Sequence, residues 1–402
     1  MRFAFAIVKL FPGGGLQRDC VDIARRVQKL GHEVTIFTSL RSGVEFADDL
    51  QLRVLSVDGY TNHRQQRAFS DEFIRQASGK FDVLVGFDKL SGLDILYCSD
   101  RSMQTRATRN PILRLLPRYR EYIALEKECF APNRKTKILL LSGSQCREYW
   151  TAWTTEPNRL VLLPPTLASA RRRPQYRTNG TRQERRSRLG LSPDEWVWMS
   201  VGVQPKTKGL DRSIRALHRF PNARLLIVGL RAEETKSAGI RRLANRLGVT
   251  SRIHWLGHRE DVPELMAAAD LLIHPARYDT TGTVILESIA NGLPVITTSA
   301  CGYATHVMTA DAGIVIPELF RQRTLIAALE IAHAGAYSMH WSKSGSEYGR
   351  QRSLCKGREL AAELIVASAG NKNNNELTPM DGLDRTRYHR EELQSQMYYE
   401  LT

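Results

Sequence analysis

The sequence predicts an α/β protein built from two doubly wound, Rossmann-like domains. Short apolar runs of strand length alternate with amphipathic helical segments from Phe3 to Thr298. Several of those runs, Phe81 to Phe87 and Trp196 to Val201 among them, are apolar almost without a break, which suits parallel strands covered on both faces. The alternation also runs twice, once on each side of an Arg-rich polar stretch between Ala168 and Arg188, so two sheets facing each other across a cleft are expected.

The first half opens with a buried strand, Phe3 to Val8, and a flexible loop, Gly13-Gly14-Gly15. A helix follows from Leu16 to Leu30, with Val21, Ala24, Val27 and Leu30 at helical spacing, and Gly31-His32 closes it. Further strands are expected at Glu33 to Thr38, Leu52 to Val57, Phe81 to Phe87, Asp94 to Tyr97, Lys137 to Leu141 and Leu160 to Leu163, with a helix at Phe69 to Ala77. The second half begins with strand Trp196 to Val201, a loop from Gly202 to Gly209 and a helix from Leu210 to Phe220. Strands at Arg224 to Val228, Ile253 to Leu256, Leu271 to His274 and Pro294 to Thr298 alternate there with helices at Ile240 to Leu247 and Val262 to Ala269. The expected organisation is an N-terminal Rossmann-like domain over 1–167, a basic linker over 168–189 and a C-terminal Rossmann-like domain over 190–345. A terminal helix region over 346–370 is expected to pack back on the first domain, and a polar tail over 371–402 adds little core.

A net charge of +16 on 402 residues implies a polyanionic partner: nucleic acid, an anionic membrane surface or a phosphorylated substrate. No helix-turn-helix, zinc or RNA-binding aromatic signature appears, so a basic nucleic-acid-binding protein is a remote alternative. The six cysteines are scattered, with no CxxC pair and no zinc spacing, and read as reduced thiols in a cytosolic protein. No metal site is expected. The apolar start, Met1 to Phe11, lacks a small-residue cleavage site and ends in Pro12-Gly13, so it reads as a first strand and not as a signal peptide. No apolar run approaches the roughly 18–20 residues of a membrane span.

One stretch differs in character. Arg101 to Arg120 carries six arginines, no acid, and interleaved Ile112, Leu113, Leu115, Leu116 and Tyr119, with Tyr122 and Ile123 just beyond. A basic, aromatic segment around an apolar seam suits attachment to anionic lipid, and the 101–123 stretch is the expected membrane contact. A solvated helix packing its apolar side on its own domain is the alternative.

The candidate chemistry gathers in loops beyond the carboxyl ends of strands, where ligands of such sheets sit. Asp279-Thr280-Thr281-Gly282-Thr283-Val284 leads from a strand into a helix that carries Glu287. Free N–H groups at a helix start favour an anion, and two flanking carboxylates could accept from sugar hydroxyls. An ordinary capped strand–loop–helix would look the same in isolation. Lys206 and Lys208, in Gln204-Pro205-Lys206-Thr207-Lys208-Gly209, could bind a diphosphate and stabilise it as a leaving group, although paired loop lysines are common. Asp19 could accept from a sugar hydroxyl or favour its helix dipole. His274 is expected to pack or hydrogen-bond structurally. A dinucleotide enzyme is a weak reading, because GxGxxG is absent and no acid ends the second strand.

Phe11-Pro12-Gly13-Gly14-Gly15-Leu16-Gln17-Arg18-Asp19, Val85-Gly86-Phe87-Asp88-Lys89, Gly92-Leu93-Asp94, Lys208-Gly209-Leu210-Asp211-Arg212-Ser213, the run from Glu264 to Leu272, and Cys301-Gly302-Tyr303 together resemble one family. It is that of the lipopolysaccharide core glucosyltransferases, retaining GT-B enzymes of glycosyltransferase family 4 that add the first glucose to inner-core heptose. The resemblance runs from Met1 to about Gly370. It implies UDP-glucose as donor, bound by the 190–345 domain, an inner-core acceptor, bound by the 1–167 domain, no cofactor or metal, no nucleic acid, and a cytoplasmic enzyme peripheral on the inner membrane. It also implies that Glu287 binds ribose hydroxyls, that Asp279 contacts the donor sugar, and that Gly282, Thr283 and Val284 offer N–H groups to the diphosphate. Lys208 falls on the phosphate lysine. Gly14 and Gly15 would let backbone approach the donor phosphate, Asp19 would lie beside the acceptor or transferred sugar, and Arg171 could face phosphate. Asp279 stands where the family has Glu and reaches one methylene less; Thr207 stands where it has Arg, with Lys206 as the available substitute. Another nucleotide sugar or another lipid-linked acceptor is the alternative.

Overall fold

A computed structural model describes residues 1–41 and 47–370; the expected polar tail lies outside the described residues. The first half holds β1 (Arg2–Ala6), β2 (Lys9–Leu10), α1 (Gly15–Lys29), β3 (Glu33–Thr38), β4 (Leu40–Arg41), β5 (Gln51–Val54), α2 (Asn62–Ala77), β6 (Val83–Gly86) and β7 (Ile95–Cys98). It continues with α3 (Met103–Arg109), α4 (Pro117–Phe130), β8 (Lys137–Leu140), α5 (Gly143–Trp153) and β9 (Leu160–Leu162). The second half runs α6 (Thr181–Arg188), β10 (Trp196–Val201), α7 (Leu210–Leu217), β11 (Ala223–Val228), α8 (Ala238–Arg246), β12 (Ile253–Gly257), α9 (Val262–Ala268), β13 (Leu271–His274) and α10 (Thr283–Ala290). Then come β14 (Val295–Thr298), α11 (Ala304–Thr309), β15 (Gly313–Ile316), α12 (Gln322–His333), α13 (Ser338–Tyr348) and α14 (Gly357–Gly370).

The chain divides into two units: Met1–Pro165 with the chain from Lys356 onward, and Thr166–Cys355. The first unit carries a seven-stranded sheet of order β5-β3-β1-β6-β7-β8-β9, and the second a six-stranded sheet of order β12-β11-β10-β13-β14-β15. Both are parallel, with Arg2 opposite Glu33 in one and Trp196 opposite Ala223 in the other. Each is therefore a doubly wound sheet whose strand order reverses once, between β1 and β6 and between β10 and β13.

Alternation along the strands explains why the apolar runs are continuous. Phe3, Phe5 and Val85 pack with Val21 and Ala24 of α1 and with Ala361 and Ile365 of α14. Ala4, Ala6 and Leu84 point the other way, to Phe69 and Phe73 of α2 and Phe130 of α4. In the second unit Trp198, Leu225 and Ile227 meet Ile214 and Leu217 of α7, while Val197, Met199 and Leu226 meet Met266 of α9 and Ile285 of α10.

Three expectations need revision. α2 starts at Asn62 and not at Phe69, because Thr61 in extended conformation starts a helix whose first turns are polar and exposed. The basic 168–189 segment is not a free linker but part of the second unit. Arg177 donates to the carbonyls of Met266 and Ala269, and Arg182 to those of Ala267, Ala268 and Ala269. Arg186 donates to the carbonyl of Ala268 at 3.0 Å, and both Arg182 and Arg186 reach the Asp270 carboxylate. Three guanidinium groups thus satisfy the last carbonyls of α9, which the helix itself leaves unpaired. Burial pulls the Arg177 guanidinium down to about 10. The 346–370 region also divides: α13 closes the second unit and α14 packs on α1 in the first.

Candidate functional site

In the second unit the loops after β10 and β13 leave adjacent strands at the point where the strand order reverses, the place where open α/β sheets bind ligands. The two loops are tied together. Gly209 has φ +72°, and a Cβ there would lie 2.0 Å from the carbonyl oxygen of Pro275, so this close approach requires glycine. The Arg277 amide donates to the Thr207 carbonyl, and its guanidinium donates to the Lys206 carbonyl and grips the Asp211 carboxylate at 2.7 and 2.8 Å.

This clamp brings Lys208 and Asp279 into contact. Lys208 Nζ donates to Asp279 Oδ2 at 2.5 Å, and His274 Nε2 lies 3.0 Å from the same oxygen. The Asp279 backbone is fixed in turn: its amide donates to the Ala300 carbonyl, and its carbonyl accepts from Gly302. The amide of Tyr303 donates to the Thr281 carbonyl at 2.7 Å, so Cys301-Gly302-Tyr303 is the brace that shapes the turn. Burial disfavours charge on both titratable partners. Against it, the His274 hydrogen bond and the Lys208 charge bring the Asp279 carboxyl down to about 2. Burial likewise opposes the His274 cation, but its bond to Asp279, helped by Cys301, takes the imidazole up to about 9. Asp279 is thus an anion held between two cations.

Beyond it the chain turns through Gly282, whose φ of +76° starts α10. A Cβ at Gly282 would lie 2.9 Å from the Ile285 side chain, so glycine keeps the turn tight. No side chain caps α10, so the amides of its first turn have no side-chain acceptor from the cap residue. Thr283 and Val284 occupy that start, and Glu287 sits half-buried one turn on. Lys206 is exposed at the rim of its loop. Arg171 lies apart from this cluster, donating to the Glu260 carbonyl at 3.4 Å while its own carbonyl accepts from Asn291.

The remaining candidates belong to the first unit. Gly14 is the N-cap of α1, again with no side-chain cap, and Gly15 is the first helical residue. The Asp19 carboxylate is engaged on both oxygens, by Tyr97 Oη at 2.9 Å and Arg358 Nε at 2.7 Å. Arg358, on α14, also pairs with Asp22, so Asp19 is where α14 locks onto α1. Burial raises the Asp19 carboxyl above its ordinary value although Arg358 opposes it.

The basic 101–123 segment has a buried base and an exposed tip. At the base Glu126 accepts from Lys89, Ser102, the Met103 amide and Trp153. At the tip, between α3 and α4, Ile112 and Leu115 are 71% and 72% exposed, with Leu116 beside them. Among the described residues no helix is long and apolar enough to cross a membrane, and no cluster of three or more His, Cys, Asp or Glu side chains could hold a metal ion.

Two parallel doubly wound sheets, with an uncapped helix start and a lysine at the switch point of the second, are the architecture of the GT-B fold. The chain belongs to the group 1 glycosyltransferases; the family model described as "Glycosyl transferases group 1" matches residues 181–340. It is 35% identical over 377 residues to the lipopolysaccharide glucosyltransferase WaaG of Escherichia coli K12, an alignment that covers 91% of this chain and 99% of WaaG. A crystal structure of WaaG, "a glycosyltransferase involved in lipopolysaccharide biosynthesis", superposes with a TM-score of 0.82 at 33% identity, over 90% of this chain and 99% of that one. The Anabaena protein Alr3699/HepE, solved with UDP-glucose, shares the fold at 16% identity and a TM-score of 0.70, over 92% of this chain and all of the other (100%).

Sequence reasoning gave no role to Arg277 or Arg358, whereas the expectation that His274 packs or hydrogen-bonds structurally is met by its bond to Asp279. Arg277 sits at the head of the turn and was open to notice. Arg358 is separated from Asp19 by 339 residues, and no local pattern links them.

Proposed function

We propose that the chain transfers glucose from UDP-glucose to an inner-core heptose of lipopolysaccharide, with retention at the anomeric carbon, on the cytoplasmic face of the inner membrane. The observation that carries the reading is the Lys208–Asp279–Gly282 cluster at the switch point of the second sheet. A diphosphate seated on the amides at the start of α10 would meet Lys208 on one side and Lys206 at the rim. That positive charge stabilises the departing UDP, so the reading needs no divalent cation. Glu287 would hold the ribose hydroxyls. Asp279 Oδ2 already takes both of its cationic partners, which leaves Oδ1 to accept from a hydroxyl of the glucose. The bond from the anomeric carbon to the phosphate oxygen breaks, the acceptor oxygen bonds to the same face, and the acceptor proton passes to the leaving phosphate. Gly14 and Gly15 would admit a phosphate close to the start of α1. Asp19 would act through the order it imposes on α1 and Tyr97, and Arg171 through its hold on the end of α10.

The exposed Ile112, Leu115 and Leu116, with arginines on either side, support attachment of this face to anionic lipid. The test is UDP release with UDP-glucose, UDP-galactose, UDP-N-acetylglucosamine and GDP-mannose, each with purified heptosylated core as acceptor. Turnover with UDP-glucose well above the other donors is expected. Release no faster than background with UDP-glucose would sink the donor assignment.

A further inference from the structure

We propose that the first unit carries a separate binding site for an anionic sugar, one bearing a phosphate or carboxylate, in the cavity between the start of α2 and the α3–α4 pair. The cavity measures about 590 Å³, in the range of small-molecule sites. It is lined by Tyr60, Asn62 and His63 from the start of α2 and by Arg106, Arg118, Tyr119 and Tyr122 from α3 and α4.

The charge is arranged for an anion. The guanidinium carbons of Arg106 and Arg118 stand 5.6 and 5.3 Å from the centroid of the same Tyr119 ring. Neither arginine has a carboxylate within salt-bridge distance among the described residues, whereas their neighbours Arg67 and Arg101 are paired with Glu121 and Glu148. Two like charges held over one ring without a counter-ion are stabilised when an anion sits between them. Tyr119, whose ring both arginines face, is only 3% exposed and lines the cavity. The aromatic walls select for more than charge. Tyr60 is fully exposed, and Tyr122 meets His63 edge to face at 6.3 Å, which leaves flat faces for the C–H surface of a sugar ring. Amide and imidazole groups of Asn62 and His63 supply hydroxyl partners.

The sugar part of this assignment rests on the glycosyltransferase reading, in which the first unit receives the acceptor; the anionic part rests on the arginines alone. Arg106 lies on α3 and Arg118 on α4, the two helices that the Ile112–Leu116 tip joins, so a glycan rooted in a membrane could reach the cavity while the tip is engaged.

The test is direct binding by calorimetry on the full chain, with UDP present in saturating amounts to fill the donor site. The probes are mannose 6-phosphate, methyl mannoside, glycerol 3-phosphate and inorganic phosphate. Mannose 6-phosphate should bind about tenfold or more tightly than the other three, and Arg106→Gln with Arg118→Gln should abolish that preference, each lost charge-assisted bond weakening binding about tenfold. Both arginines are exposed, so the double variant should keep the wild-type unfolding temperature, and Tyr122→Ala should weaken mannose 6-phosphate while leaving glycerol 3-phosphate unchanged. Equal binding of glycerol 3-phosphate or inorganic phosphate would overturn the proposal in favour of a lipid headgroup or simple anion site. Unchanged affinity in the double variant would overturn it outright. Because no turnover is measured, failure of the UDP-glucose assignment would leave this result readable.

Discussion

Replacing Asp279 with Asn keeps the shape of the turn and removes the charge between Lys208 and His274. The cost can be worked from the two perturbed groups. His274 moves from 6.5 to about 9 on folding, and each unit is worth about 1.4 kcal/mol, so the native state gains on the order of 3 kcal/mol from Asp279 and Cys301 together, net of burial. Asp279 moves from 3.8 to about 2, on the order of 2 kcal/mol, but this is largely the same bond counted from the other end. Breaking a buried pair leaves the partner charge uncompensated, so Asp279→Asn should lose about 2–4 kcal/mol at pH 7. For a unit of this size that is a fall of about 5–12 °C in unfolding temperature. The sign of the pH dependence is fixed by the direction of each shift. The raised His274 contributes fully below its unfolded value of 6.5 and loses its contribution as pH rises through about 9. The lowered Asp279 contributes above 3.8 and loses its share as pH falls through about 2. Calorimetric scans of wild type and Asp279→Asn from pH 5 to 10 should therefore show the widest gap near pH 5–6.5, narrowing steadily as pH rises from 6.5 through about 9. A constant gap across that range, or none at pH 7, would refute the charged sandwich.

Lys208→Ala should lower turnover by about a hundredfold to a thousandfold with a modest change in KM, the usual effect of removing one group that stabilises developing charge; steady-state kinetics would check it. Gly209→Ala places a Cβ against the Pro275 carbonyl and should cost more than about 2 kcal/mol in urea unfolding, with activity falling as the loops separate. Changing Ile112, Leu115 and Leu116 together to Ser should weaken sedimentation with anionic vesicles by about a hundredfold or more, while UDP affinity stays at the wild-type level.

Much of the fold was legible because parallel strands buried on both faces write themselves as unbroken apolar runs. Glu33–Thr38, Trp196–Val201 and Leu271–His274 match their expected bounds, and the strand-to-helix loops followed from glycines at Gly13–Gly15, Gly209 and Gly282. The Lys208 and Asp279 loops were legible as a pair because both leave the carboxyl ends of strands. Less legible were features whose partners are backbone atoms or distant side chains. Arg177, Arg182 and Arg186 read as solvated linker charges, since the carbonyls they cap belong to α9, more than eighty residues away. Asp19 read as an acceptor for a sugar hydroxyl or a partner of its helix dipole, because its actual partner, Arg358, lies at the far end of the chain. The first turns of α2 were hidden by polarity: Asn62 to Arg67 carry no apolar face, and packing sets in only at Phe69.

The most direct test of the donor site is a crystal structure of the chain with UDP-glucose. The diphosphate oxygens should lie within about 3 Å of Lys208 Nζ and of the amides of Thr283 and Val284, with Glu287 on the ribose. Diphosphate density away from the start of α10, with Lys208 still bound only to Asp279, would contradict the assignment.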